Sequence, residues 1–212
     1  MAKGFLIAAL NFAKVPGNEF NDWQDQEHIP ERVAVPGFIN AQRWIGATDP
    51  KISVNTYDLE SLDVLQSPQY LALAYENASA WSKRIIGQCV RLMRVVAEQV
   101  APGDAVQPES AQALLFNAMN IPPEHEADFM AWYLQEHLPA LAGVPGVLCA
   151  RFFQSADDRS TQRYLAVYHL TGPEAPDSPA WRKVADTPWS DRVRPHFKDR
   201  VRVVCRRYRP AK

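Results

Sequence analysis

Two hundred and twelve residues, 47% hydrophobic and 22% charged, describe an ordinary globular chain with room for one or two domains. A net charge of −1 provides no global field to draw nucleic acid or an anionic membrane, and the apolar run Phe5–Leu10 is too short for a signal h-region or a membrane span. Cys89, Cys149 and Cys205 are odd in number and form no C-x-x-C, so they read as reduced thiols of a cytoplasmic protein, not as a disulfide or zinc framework.

Along the chain, Phe5–Phe12 is an apolar run of strand length. A helix over Glu19–Ile29 follows, with Phe20, Trp23 and Glu27 on one face. It is expected to end near Pro30, because the residue before proline is pushed out of the helical region. Val-Pro-Gly then turns the chain at Gly37. Strands are predicted over Phe38–Ile45 and Ser53–Leu59, a helical region opens at Ser67-Pro68, and Val90–Ala97 closes the series. The segment Ala101–Ser110, small, polar and twice interrupted by proline, is the natural linker.

The same order then recurs. Ala113–Asn120 is the next strand, Glu126–Leu138 the next helix ending near Pro139, and Gly146 the next turn. Strands over Val147–Gln154 and Arg163–Leu170, a helical start at Ser178-Pro179 and a strand over Val201–Tyr208 complete it. Both parts carry Trp-Ser-x-Arg, at Trp81–Arg84 and Trp189–Arg192. Phe20–Ala41 and Phe129–Ala150 align at a constant offset of 109 residues with 10 of 22 positions identical. A period that long is one small domain, not a solenoid repeat. The predicted fold is therefore α+β: two tandem ferredoxin-like βαββαβ repeats, residues 1–100 and 111–212, joined by a linker over 101–110. The alternation through Leu6, Ala8 and Leu10 leaves an apolar sheet face away from the helices. Packing the two sheets face to face, with the linker outside, would bury both.

The shared frame F-x-x-W-x-x-Q-E-H-φ-P-x-x-x-x-V-P-G resembles the dimeric α/β-barrel superfamily, closest to its ethyl tert-butyl ether degradation (EthD)-type branch. The resemblance spans roughly residues 3–100 and 111–210 and implies one barrel made within a single chain. It also implies a pocket between sheet and helices. Members include isomerases, decarboxylases, cyclases, dehydratases and monooxygenases that need no cofactor, and some tandem members bind haem through a histidine.

Both copies keep Glu27-His28 and Glu136-His137, which a fold does not obviously need. His28 and His137 are candidate acid/base residues, and the alternative is a helix C-terminal imidazolium favoured by the macrodipole. On an ideal wheel His28 lies away from Trp23. Glu27 and Glu136 would orient the imidazoles or the substrate, or else pair with Arg43, Arg84, Arg151 or Arg192. Trp23 and Trp132 either stack on a ligand or pack the core. Tyr57 and Tyr168 could offer phenols to a carbonyl, as could Asn11 and Asn120 their amides. The basic run Arg200–Arg209 reads as a solvated or ion-paired face. Phosphate-loop and nucleophile-elbow motifs are absent, and no metal set is apparent.

These residues suggest a cofactor-independent enzyme moving protons in a small, partly apolar carbonyl or carboxylic compound by isomerisation, decarboxylation or dehydration. A non-catalytic small-molecule-binding or stress-response protein is the alternative, and a haem-handling enzyme the further one. Partners would be the small-molecule substrate, with no nucleic acid or membrane, and the fused chain could itself pair as a homodimer. Exchange of Gln24, Asp25 and Asp58 for Tyr133, Leu134 and His169 suggests that the His137 half has the better enclosed pocket.

Overall fold

A computed structural model describes residues 3–210. The chain runs β1 (Gly4–Asn11), α1 (Gly17–Trp23), a π-helical turn (Gln24–His28), α2 (Ile29–Val33), β2 (Phe38–Gly46) and β3 (Ile52–Leu59). Then come α3 (Pro68–Leu71), α4 (Ala80–Gln88), β4 (Val90–Ala101) and β5 (Ala113–Asn120). The remainder is α5 (Pro123–Trp132), a second π-helical turn (Tyr133–His137), α6 (Leu138–Ala142), β6 (Val147–Ser155), β7 (Tyr164–Leu170), α7 (Pro179–Ala185), α8 (Pro188–Val193) and β8 (Lys198–Arg207).

The eight strands close into one antiparallel barrel in the order β1-β3-β2-β8-β5-β7-β6-β4. The four strands of each half are neighbours, and the halves meet at two short seams. At one, Trp44–Gly46 pairs with Arg207–Cys205; at the other, Ala97–Ala101 pairs with Ser155–Phe152. Closure leaves no open sheet pair to stack, so the expected face-to-face sandwich is replaced by edge-to-edge hydrogen bonding. Phe5, Ile7 and Ala9 pack inside the barrel with Val54, Phe116, Phe153 and Val167. Leu6, Ala8 and Leu10 point the other way, toward the helices, where they line a cavity. Both faces of β1 are apolar, so alternation alone could not say which was inside.

Local chemistry explains the punctuation. Gly37 and Gly146 sit at φ +94° and +93°, and a Cβ on Gly37 would press to 2.3 Å from Val64. Ser67 and Ser178 accept hydrogen bonds from Tyr70 N and Trp181 N at 3.2 and 3.1 Å, capping helices whose first residue is proline.

The helices do not stop at Pro30 and Pro139. In each copy a π turn precedes the proline, with Ile29 N donating to Gln24 O and Leu138 N to Tyr133 O, and the helix then continues. Proline supplies no N–H and crowds the carbonyl four residues back. The wider i→i+5 turn shifts the hydrogen-bond ladder where that donor is lost.

The segment expected outside the barrel is partly inside. Gln107 is 2% exposed, and its backbone N donates to Asp58 Oδ2 at 2.6 Å while its side chain accepts from Thr56 Oγ1 at 2.6 Å. Asp58 also pairs at 2.6 Å with Arg151, so β3, β6 and the connecting segment share one buried polar cluster. Cys205 is buried, and burial pushes its thiol up to about 12; Cys89 and Cys149 are half-buried, and all three are free. Among the described residues no helix is long and apolar enough to cross a membrane.

Candidate functional site

Each half encloses a cavity between the outer face of its strands and its helices. In the N-terminal half the volume is about 390 Å³. Leu6, Ala8, Leu10, Asn55 and Tyr57 form the sheet wall, and Trp23, Gln24, His28 and Arg32 the helix wall. Tyr70, Tyr75, Lys83, Ile86, Arg91 and Arg94 complete the rim.

The π turn places His28. Its ring lies 4.6 Å from that of Trp23, centroid to centroid, and His137 stacks on Trp132 at 4.2 Å. In a regular α-helix residue i+5 faces away from residue i, which is why the ideal wheel put His28 opposite Trp23. The wider turn brings the pair together. Both imidazoles are held neutral. Burial lowers His28 to about 3, helped by Arg32 and Arg43, and burial lowers His137 to about 3, helped by Arg194 and Arg200. Neither Nδ1 has a hydrogen-bond partner. A helix-end imidazolium suits neither site, because the helix continues past each histidine and burial favours the neutral ring.

Glu27 and Glu136 do not line the cavities. Glu27 accepts from Ser79 Oγ at 2.6 Å and Ser82 Oγ at 3.0 Å, and Glu136 from Thr187 Oγ1 at 2.6 Å. Ser82 Oγ also accepts from Trp23 Nε1 at 2.9 Å, and Ser190 Oγ from Trp132 Nε1 at 3.2 Å. The retained Trp, Glu and Ser therefore fasten the first helix to α4 or α8. The serine of Trp-Ser-x-Arg was visible as a repeat, but its partner lies 59 residues away in sequence. None of the four arginines considered for Glu27 or Glu136 serves it: Arg43 pairs with Asp25, Arg84 with Glu19, Arg151 with Asp58 and Arg192 with Asp128.

Tyr57 and Tyr168 occupy matching places, opposite Leu6 and Leu115 on the helix side of the barrel. Each lines its cavity, each hydroxyl lacks a partner, and burial raises both phenols well above the usual range. Asn11 and Asn120 lie outside the cavities, accepting from Ala13 N at 2.9 Å and Arg163 N at 2.8 Å at the strand ends.

Sequence reasoning missed the cations. Arg32 is 7% exposed, donates to Leu73 O at 3.0 Å and keeps Nη1 unpartnered. Arg94 pairs with Asp157 at 3.1 Å and keeps Nη2 unpartnered. The N-terminal cavity thus offers two unpartnered guanidinium donors and an unpartnered phenol hydroxyl, with no carboxylate on its wall.

The two cavities differ in size. The C-terminal cavity measures about 240 Å³. Tyr133, fully buried, stacks on Phe152 at 4.4 Å where the first half has Gln24 and Arg43, and so fills the room instead of drying it. Leu134 is exposed, and His169 lies inside the barrel against Trp44, where burial holds it neutral.

No protein-family model and no curated protein matches the sequence. Solved structures do match in shape. A provisionally named monooxygenase from Fusobacterium nucleatum subsp. nucleatum superposes with a TM-score of 0.65 at 8% identity, over 98% of this chain and 93% of its own. An anthrone oxidase-like protein gives 0.63 at 13% identity, over 97% and 92%. A mutant chlorite dismutase from Candidatus Nitrospira defluvii, in complex with cyanide, gives 0.61 at 11% identity, over 98% and 91%. The fold is that of the dimeric α/β barrel. Such low identities speak to fold alone. These neighbours are named for monooxygenase, anthrone oxidase-like and chlorite dismutase proteins. None is named for isomerisation, decarboxylation or dehydration, and the expectation of a cofactor-independent enzyme working by proton transfer is withdrawn on that ground.

Proposed function

We propose that this chain is an oxidoreductase that acts on an apolar, aromatic compound bearing an acidic oxygen, bound in the N-terminal cavity. We read the chain as a tandem duplication of a ferredoxin-like unit, residues 1–100 and 111–212, of the EthD-like branch. The strand order and the twice-repeated H-x-P…V-P-G frame support that reading.

One observation carries the function. Arg32 Nη1, Arg94 Nη2 and the Tyr57 hydroxyl are buried donors without acceptors around a cavity to which Leu6, Ala8, Leu10, Trp23 and Ile86 give apolar surface. Buried donors cost free energy unless paired, and a phenolate or enolate oxygen would pair them while its ring fills the apolar space. The anthrone oxidase-like and monooxygenase names of the neighbours fit such a ligand.

The reaction would oxidise an activated methylene beside that oxygen, so that the methylene and one dioxygen become a ketone carbonyl and one water. His28, neutral across the physiological range, takes the methylene proton, and Arg32 and Arg94 hold the negative charge that develops. Burial, the larger cause, and Arg32 both weaken this imidazole as a base, and a bound oxyanion offsets the second of them.

A second reading, haem, is favoured by the same neutral imidazole and by the chlorite dismutase likeness. The donor set fits: His28 would ligate the iron, and Arg32 and Arg94 would pair with the carboxylates. Haem would supply one-electron and oxygen chemistry there.

Oxygen uptake with a panel of polycyclic aryl ketones and phenols, with and without added haem, separates the readings. Uptake without haem, with a kcat about 10²–10⁴-fold lower in His28→Ala, would select direct reaction with dioxygen. A Soret shift lost in His28→Ala would select haem. No uptake and no Soret shift would end both.

A further inference from the structure

The C-terminal cavity differs from its counterpart in chemistry as well as in size. Arg182, Arg194, Arg200 and Arg202 line it against one carboxylate, Asp186. That carboxylate is already engaged by Arg194 at 2.7 Å. Arg200 donates Nε to Asn117 Oδ1 at 2.9 Å, which leaves its Nη groups for another acceptor. Among the described residues neither Arg182 nor Arg202 forms an ion pair. Like charges gathered around a space of about 240 Å³ repel one another, and Arg200 registers this: burial, then Arg202 and Arg194, weaken its hold on its proton.

The cavity wall carries unmet hydrogen-bonding capacity as well. Tyr168 is 2% exposed and lines the cavity, yet its hydroxyl has no partner. A flat aromatic ligand has little room, because the buried Tyr133 ring already stacks on Phe152 beside this space. A small anion with several oxygens meets every demand at once. It accepts from guanidinium forks, accepts from the phenol and neutralises the crowded cations.

We propose that this cavity is a second ligand site, for a compact multivalent oxyanion such as phosphate or a phosphate monoester. Arg182, Arg200 and Arg202 hold the anion, and the Tyr168 hydroxyl donates to it. The site is independent of the oxidoreductase reading, which concerns the other cavity.

Thermal unfolding and calorimetric titration with inorganic phosphate and with methyl phosphate test it, using sodium chloride to keep ionic strength constant. At tenfold above Kd either ligand should raise Tm by about 3–6 °C. Arg182→Gln with Arg202→Gln should weaken binding at least tenfold, and because both side chains are exposed the unliganded Tm should hold. Tighter binding of the ester points to an esterified ligand, and equal binding to the free ion. The proposal fails if chloride alone gives the same shift or if the double variant still binds. It fails equally if Lys83→Gln with Arg91→Gln, in the other cavity, is what removes the response.

Discussion

Replacing Asp58 by alanine should unfasten the two halves of the barrel. Asp58 stands on β3 and Arg151 on β6, and their ion pair at 2.6 Å has side-chain exposures of 2% and 0%. Arg151 would remain charged between the Phe5 and Phe153 rings, 4.8 and 5.2 Å from its guanidinium carbon, with only Ala105 O at 3.2 Å as acceptor. Its Nε and Nη2 are already unpartnered. The backbone N–H of Gln107 and the Asn40 amide at 3.0 Å would lose their acceptor too. Breaking a buried pair in this way costs about 3–5 kcal/mol, a large share of the ~5–15 kcal/mol that holds a typical domain together. For a chain of this size that lowers Tm by about 6–20 °C. Urea unfolding monitored by circular dichroism should show a lower midpoint at unchanged slope. Asp58→Leu combined with Arg151→Met should recover much of the loss, since no uncompensated charge then remains. A loss below about 1 kcal/mol for Asp58→Ala would refute the argument, because a buried, unpaired guanidinium cannot be that cheap.

Acid should destabilise the protein well above the carboxylate range. Folding lowers His28 and His137 from 6.5 to about 3, so this contribution is intact above pH 6.5 and is lost as pH falls toward 3, where the unfolded chain takes up protons the native state refuses. By pH 5 the loss is up to about 2 kcal/mol for each. His28→Gln with His137→Gln should make the stability profile between pH 6.5 and 5 shallower, leaving the share of His169, which burial also holds neutral, and an unchanged profile would contradict the burial of both replaced imidazoles. Glu27→Ala removes a carboxylate that accepts from two hydroxyls and should cost about 1.5–3 kcal/mol, more than Glu136→Ala, whose carboxylate accepts from one. If Glu27→Ala instead abolished turnover with Tm unchanged, its role would be chemical and not structural.

What the sequence made legible is what neighbouring residues decide. Strand runs, the Ser-Pro helix starts and the positive-φ glycines of Val-Pro-Gly each depend on a few adjacent positions, and they fell where predicted. What was hidden depends on distant partners. Nothing near Glu27 announces Ser79 and Ser82, more than fifty residues on. Nothing near Gln107 announces that Thr56 and Asp58 would draw it into the barrel. Arg32 looks like an ordinary solvated helix residue until Tyr70 and Leu73 close over it, with its guanidinium 5.4 Å from the Tyr70 ring.

The π turn connects this hidden part to function. Retention of Glu27-His28 and Glu136-His137 suggested catalytic groups, but the place of each histidine follows from a backbone device shared with the Trp and Pro around it. The proline is tolerated because the turn shifts the ladder, and the turn swings the histidine onto the tryptophan. That device delivers a neutral imidazole to both cavities whatever chemistry surrounds it. The surroundings then diverge. Position 32 is arginine in one half, while its counterpart at the same offset, position 141, is leucine, so the first cavity takes a cation from its helix wall. The second takes its cations from β8 and the helices before it. Repetition in the sequence therefore marks the frame, and the differences laid over it are where ligand choice resides.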